Sequence, residues 1–377
     1  MSGPSRDGPQ RLRAVARVDL AAVERNCAEL ARVAAPAALC AVVKADGYGH
    51  GAVPAARAAQ AGGASWLAVA TADEAARLRA AGIEGPLLIM GALTAAELTV
   101  ALRARADVVV WREASVAALA AHPDADGAGV HVKLDTGMGR LGTRDAREAA
   151  HTADAVAAVP RLRLAGLMTH FATADDDPGF AREQLARFLP WADALRARHG
   201  GDLLLHAANS AATLGIPESR LGMVRCGIAI YGMDPFGADP AAHGLAPVLE
   251  LRSHLAEVKP IAPGESVGYG RRFVADAPTW IGTVPVGYGD GVRRALSNDC
   301  DVLVGGRRVP VVGTISMDNL TVDLGAEPPE RGADVVLIGA QGGERVPAEE
   351  WARRLGTINY EITCGIAPRV PRQYASP

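Results

Sequence analysis

Eight short apolar runs, separated by alanine-rich stretches of helical spacing, constrain this chain more than any other feature. The runs are ALCAVVK (38–44), WLAVAT (66–71), LLIM (87–90), DVVVW (107–111), VHVKLD (130–135), LAGLMTH (164–170), LLLHAAN (203–209) and VRCGIAIYG (224–232). Between them lie segments such as EAARLRAAG (74–82) and FAREQLARFLPWADALRARHG (180–200), the second with helical apolar spacing and a terminal glycine. Strand–helix alternation predicts a parallel sheet. Eight units favour a closed (β/α)₈ TIM barrel over an open doubly wound sheet.

The pattern changes near Ala246. Strand-like pieces bounded by Gly and Pro follow: LELRSHLAEVKPI, ESVGYG, TWIGTVPVGYG, VPVVGTISMDNLTVDL and ADVVLIG, interrupted by one helical segment, AEEWARRLG (348–356). The expected fold is therefore α/β, an N-terminal barrel over 13–245 followed by a mostly-β C-terminal domain over 246–377. RAVARVDL (13–20) is also strand-like and a candidate to pair with the second domain. Residues 1–12, rich in Gly, Pro and Ser, read as a loose tail. A length of 377 residues agrees with two domains.

Composition mainly excludes. A net charge of −3 with no basic block argues against a nucleic-acid surface. No apolar run reaches spanning length, and the N-terminus lacks the apolar core of a signal peptide. The five cysteines are scattered without metal-ligand spacing, which fits a reducing cytoplasm and no structural disulfides. No metal site is expected.

In a barrel of this kind chemistry collects at the carboxyl ends of the strands. Those ends carry Lys44 with Tyr48, then Lys133 with Arg140 in DTGMGRLG, then Thr169 and His170. His206, Asn209 and Ser210 follow on the seventh run, and Arg225, Gly227 and Ile228 on the eighth. A serine hydroxyl and backbone amides after the last two strands occupy the usual phosphate position of such barrels. An amine facing an anion cradle suits an aldehyde cofactor bearing a phosphate, as in pyridoxal phosphate chemistry.

These segments resemble the alanine racemases, fold-type III pyridoxal phosphate enzymes. The resemblance is carried by AVVKADGYGHG (41–51), VKLDTGMGRLG (132–142), THFATAD (169–175) and HAANSAATL (206–214). MVRCGIAIYG (223–232), GTISMD (313–318) and NYEITCGIAPRVPR (359–372) continue it in order over nearly the whole chain. The resemblance implies pyridoxal 5'-phosphate attached at Lys44, its phosphate held by Tyr48, Ser210, Gly227, Ile228 and Tyr360. His170 and Asn209 would support it. Arg225 would face the pyridine nitrogen, and Arg140 and Met317 the substrate. Lys133 matches a lysine that is often carbamylated, with Asp318 as a further support. Asp175, His206, Tyr288 and Arg294 match positions along the access corridor. Tyr269, a base, and Met317 match residues that reach the site from the partner of a head-to-tail homodimer whose active sites are shared. The implied reaction interconverts L- and D-alanine, supplying D-alanine for peptidoglycan.

The residue chemistry agrees with that implication. Racemisation needs a proton removed from one face of Cα and returned on the other, so two bases suffice; the resemblance implies Lys44 for the D-enantiomer and Tyr269 for the L-enantiomer. A phenol is a weak match to neutral pH without nearby positive charge, for which His170 with Arg225 is the candidate relay. An arginine against the ring nitrogen cannot accept a proton. It leaves the ring a weaker electron sink than a carboxylate would, which favours proton return over transamination. Plainer readings stand beside these. Lys133 reads as a strand-end charge paired with Asp135, His170 as a bonded core histidine, and Met317 as core filler. Competing functions are a broad-specificity racemase, a decarboxylase of the same architecture, a non-catalytic cofactor carrier and a cofactor-free Schiff-base aldolase. Tyr269 argues against the carrier, and Tyr48, Ser210 and Arg225 together against the aldolase.

Overall fold

The computed structural model describes residues 12–200 and 202–375, in two compact units. One comprises Leu20–Pro247, the other the described residues 12–19 together with 248–375. Strand β1 (Val15–Asp19) belongs to the second unit, so the units divide at 19/20 and 247/248. The expected tail lies outside the described residues except for Leu12.

The first unit holds β2 (Ala38–Val42), β3 (Trp66–Val69), β4 (Leu87–Ile89), β5 (Asp107–Val110), β6 (Ala128–Lys133), β7 (Leu162–Met168), β8 (Leu204–His206) and β9 (Met223–Cys226). They form one parallel eight-stranded sheet in the order β8-β7-β6-β5-β4-β3-β2-β9. Its two ends meet. Gly222 N donates to Leu205 O at 3.0 Å and Arg225 N to Ala208 O at 2.9 Å, joining β9 to β8. All eight runs read from the sequence contain strands, and these are largely buried on both faces, as parallel strands under helices must be.

Helix starts follow local chemistry. Thr71 and Glu74 form a reciprocal capping box for the helix Ala72–Ala80, and Thr94 with Glu97 does so for Ala95–Arg103. Asp177 caps Pro178–His199, whose proline sits where its missing N–H costs nothing. The strands end just short of the rim residues: β2 stops at Val42, β7 at Met168 and β9 at Cys226. Backbone released from the ladder is what turns Lys44, His170 and Gly227 toward a common face.

In the second unit β1 pairs antiparallel with β10 (Leu249–His254) and parallel with β20 (Arg372–Ala375). The main sheet continues through β18 (Asp334–Gln341), β15 (Asp301–Val304) and β16 (Arg307–Pro310), with β19 (Glu344–Val346) against β18. A smaller sheet joins β11 (Glu257–Ile261), β14 (Thr279–Val284) and β17 (Leu320–Gly325), and a ribbon joins β12 (Ser266–Val267) to β13 (Phe273–Val274). Strand β15, absent from the strand-like pieces read in the sequence, forms a hairpin with β16 that turns on Gly305 and Gly306, both at positive φ (61 and 78). Among the described residues no helix is long and apolar enough to cross a membrane.

Candidate active site

Beyond β2, Lys44 opens a single left-handed turn. Ala45 (φ 52, ψ 49), Asp46 (φ 50, ψ 50), Gly47 (φ 62, ψ 43) and Tyr48 (φ 53) are consecutive left-handed residues. That conformation costs an L-residue about 1–2 kcal/mol, so three non-glycines here need compensation. They receive it from backbone bonds, Gly47 N to Val43 O at 2.9 Å and Gly51 N to Asp46 O at 2.8 Å. Side chains add more: Asp46 Oδ1 accepts from Ala52 N at 2.9 Å, and Glu74 Oε1 from Ala45 N at 2.6 Å. Glu74, already the cap residue of its helix, thus also pins the residue after Lys44. The sequence carries its signal, T-x-x-E at 71–74, but nothing there points toward the lysine.

The turn drives Tyr48 inward, where its ring lies 5.1 Å from that of Tyr231. A Cβ placed on Gly227 would stand 2.2 Å from the Tyr48 hydroxyl oxygen, so the glycine leaves the space the phenol fills. Ser210 Oγ accepts from Gly227 N at 3.1 Å and from Ala229 N at 3.4 Å. Two hydroxyls and the amides flanking Ile228 therefore gather at one point. Asn209 caps the helix Ser210–Gly215 by accepting from Ala212 N at 3.0 Å.

Arg225 is buried on β9 and, among the described residues, hydrogen-bonds to no carboxylate. Its Nη1 donates to His206 Nδ1 at 2.8 Å; Nη2 donates to Thr169 O and Ala207 O, each at 3.0 Å, and to His170 Nδ1 at 3.1 Å. Burial pulls the guanidinium down to about 10, leaving it charged at neutral pH. Burial first, and then the Arg225 charge, hold His170 and His206 well below the ordinary histidine range. Both imidazoles are thus neutral and present Nδ1 lone pairs to the arginine. His206 is fully buried and cannot line a corridor open to solvent; it braces Arg225 instead. That corrects the position the resemblance implied for it, since the strand carries it into the barrel interior.

Lys133 ends β6, buried, and its amine is pulled down to about 8 by burial, then by the Arg225 and Arg140 charges. Asp135 does not stand as its simple ion-pair partner. That carboxylate accepts from the amides of Gly137, Met138 and Gly139 at 2.8–3.1 Å and from Arg144 at 3.4 Å. These bonds shape the loop that presents the exposed Arg140. Asp175 is also exposed, beyond the rim of β7.

The remaining candidates lie in the second unit. Tyr269, Met317 and Tyr288 are three of its large exposed apolar side chains, at 73%, 53% and 43%. Their loops are tied together: Thr314 Oγ1 donates to Tyr269 O at 2.7 Å, Tyr288 N to Ser316 O at 3.0 Å and Gly289 N to Met317 O at 2.9 Å. Ser297 links Arg294 to the same loop, donating to Arg294 O at 2.6 Å while accepting from Ile315 N at 3.0 Å. Buried Asp290 anchors the cluster. It binds Arg13 and Arg369, and Arg369 reaches on to Asp318 at 2.7 Å. Neither Asp290 nor its two arginines was singled out from sequence, where they are ordinary charges far apart. Tyr360 is half-buried on the helix Asn359–Cys364.

Comparison with known proteins agrees with this geometry. The family model "Alanine racemase, N-terminal domain" matches residues 18–235, and "Alanine racemase, C-terminal domain" matches 248–374. An alanine racemase of Desulfovibrio desulfuricans is 42% identical over 363 residues, covering 95% of this chain and 97% of its own. One from Geobacillus stearothermophilus is 43% identical over 366 residues, covering 95% and 92%. The solved alanine racemase of Streptomyces coelicolor A3(2) superposes with a TM-score of 0.91 at 40% identity, covering 97% of this chain and 98% of that one.

Proposed function

This chain belongs to the alanine racemase family, and from that premise we propose that it interconverts L- and D-alanine with pyridoxal 5'-phosphate held at Lys44. The observation that carries the reading is Arg225, a buried cation whose partners are two neutral imidazoles and two carbonyl oxygens. Such a group serves as a permanent donor to a ring nitrogen and never as a proton acceptor. The residues fit the cofactor: a rim amine, a cradle of Tyr48, Ser210, Gly227 and Ile228 for a phosphate, and space at Gly227 that any side chain would fill. Tyr360 would complete the phosphate contacts. When bound, the cofactor supplies the conjugation that acidifies the Cα proton of alanine.

The side chains do the rest. Lys44 Nζ takes or returns the proton on one face of Cα, and the partner subunit's Tyr269 serves the opposite face in a homodimer with shared sites. Because His170 Nδ1 accepts from Arg225, its proton resides on Nε2, a donor suited to holding that phenol oxygen. Arg140 orients the substrate carboxylate, and Lys133, depressed enough to react with carbon dioxide, braces it as a carbamate. Met317 limits the space beside Cβ, while Asp175, Tyr288 and Arg294 line the approach. The exposure of Tyr269, Tyr288 and Met317 on one tied loop cluster supports a partner surface there.

The test is complementation. Lys44→Ala and Tyr269→Ala are each expected to be inactive, the second still binding cofactor. Co-expressed, random pairing makes half the dimers hybrid with one intact site each, restoring about a quarter of wild-type activity. No recovery in mixed dimers would remove the shared site, and equal rates on bulky amino acids would remove alanine as the substrate.

A further inference from the structure

The interior of an eight-stranded parallel barrel is ordinarily filled by branched apolar side chains. Here a file of polar groups crosses it from β5 to β9. Asp107 Oδ2 lies 3.2 Å from His131 Nε2, His131 Nδ1 lies 2.9 Å from His206 Nε2, and His206 Nδ1 lies 2.8 Å from Arg225 Nη1. Both histidines are fully buried, and Arg163 joins Asp107 from outside at 3.1 Å.

The file has only one consistent direction. Arginine donates and cannot accept, so His206 Nδ1 accepts and its proton sits on Nε2. His131 Nδ1 must then accept from His206, which leaves the His131 proton on Nε2, donated to Asp107. Each ring's tautomer is set by the next, and the carboxylate closes the series. Burial works against the Asp107 carboxylate, but His131 and Arg163 more than offset it and keep it ionised.

Two glycines mark the file as a built feature. A Cβ on Gly129 of β6 would lie 2.2–2.3 Å from the Asp107 carboxylate atoms, and one on Gly166 of β7 would lie 2.5 Å from His131 Nδ1. Neither glycine has a left-handed φ. Glycine weakens a strand interior, and at these two positions it makes room for the file.

We propose that Asp107 and His131 are positioning residues for Arg225: acting through His206, they hold in place the ring that accepts its Nη1 hydrogen bond and bring a carboxylate's compensation to its buried charge. The inference rests on the reading of Arg225 as the partner of the cofactor ring nitrogen. Orienting partners one step behind a functional histidine typically contribute about 10- to 100-fold to activity, and the lower end suits a group two bonds further back.

Nitrogen-15 NMR of histidine-labelled holoenzyme reads the ring tautomers directly. Wild type is expected to hold both His131 and His206 as Nε2–H. Asp107→Leu should keep both rings as Nε2–H, because Arg225 sets that direction, but shift the His131 Nε2 resonance, which loses its carboxylate acceptor, and lower kcat about tenfold with KM changed less than about twofold. Asp107→Asn, which keeps an acceptor oxygen, should retain the tautomers and most of kcat. His131→Phe keeps ring volume and the edge contact with Trp66 (5.8 Å between centroids). It should show the same loss of kcat and a shifted His206 Nε2 resonance, and it replaces Asp107→Leu if that variant fails to fold. An unchanged His131 Nε2 resonance in Asp107→Leu, or an unchanged His206 Nε2 resonance in His131→Phe if that variant alone folds, overturns the proposal, as does an unchanged kcat. A protein with the wild-type tautomers but no racemisation would instead refute the reading of the active site, because the NMR signature does not depend on turnover.

Discussion

Replacing Gly227 by alanine tests the phosphate cradle at its tightest point. The added Cβ would meet the Tyr48 hydroxyl at 2.2 Å and its Cζ at 2.8 Å. The phenol has little freedom to withdraw. Its backbone is in the left-handed turn held by Val43, Ala52 and Glu74, and its ring packs against Tyr231. The expected response is a displaced hydroxyl. A hydrogen bond to a charged group contributes about 1.5–3 kcal/mol, so its loss weakens cofactor binding by about 10- to 100-fold. Overpacking should separately lower stability by about 1–3 kcal/mol.

Titration of the cofactor-free protein with pyridoxal phosphate, followed by absorbance, measures the first effect, and urea denaturation the second. Tyr48→Phe in the same background removes the oxygen but leaves the ring carbon in contact. The double variant should therefore bind cofactor no more weakly than Gly227→Ala alone, while recovering part of the stability. Binding by Gly227→Ala within about twofold of wild type, well short of the loss of one charged hydrogen bond, would show that the Tyr48 hydroxyl does not hold the phosphate.

Two further outcomes concern pH. His170 and His206 have folded-state pKa values depressed far below 6.5, so the unfolded chain binds up to two more protons once pH falls below that value. Stability should then be lost at up to about 2.7 kcal/mol per pH unit, twice 1.36, and His206→Asn should halve that slope in denaturation measured from pH 7 to 4.5; an unchanged slope would refute the assignment. Lys133, at about 8 when folded against an ordinary 10.5, is charged at a penalty below pH 8 that disappears as pH rises to 10.5. Unmodified protein should therefore gain about 3 kcal/mol across that window relative to Lys133→Met, and a constant difference between the two would show the amine to be unstrained by burial.

The barrel was legible because its strands are buried on both faces and so appear as uninterrupted apolar runs, with helices carrying a different period between them. The rim residues were legible because such a fold assigns chemistry to strand ends. Lys44, Ser210 and Arg225 each follow or close an apolar run, at the carboxyl ends of β2, β8 and β9. What the sequence concealed depends on pairing between distant strands. The β15–β16 hairpin had a local signal in Gly305-Gly306, yet Asp107 and His131 look like an ordinary strand-start charge and a core histidine until β5, β6 and β8 come together in one barrel. His206 is the instructive case. The resemblance put it among access residues, but alternation along a strand decides which way a side chain faces. Alternation sends it inward, where a neutral imidazole can accept from a buried guanidinium. The same geometry accounts for Gly129 and Gly166, which in sequence are only weak points in strands. In the folded barrel they are vacated volumes, and a vacated volume beside a carboxylate or an imidazole is a stronger indication of function than either polar residue alone.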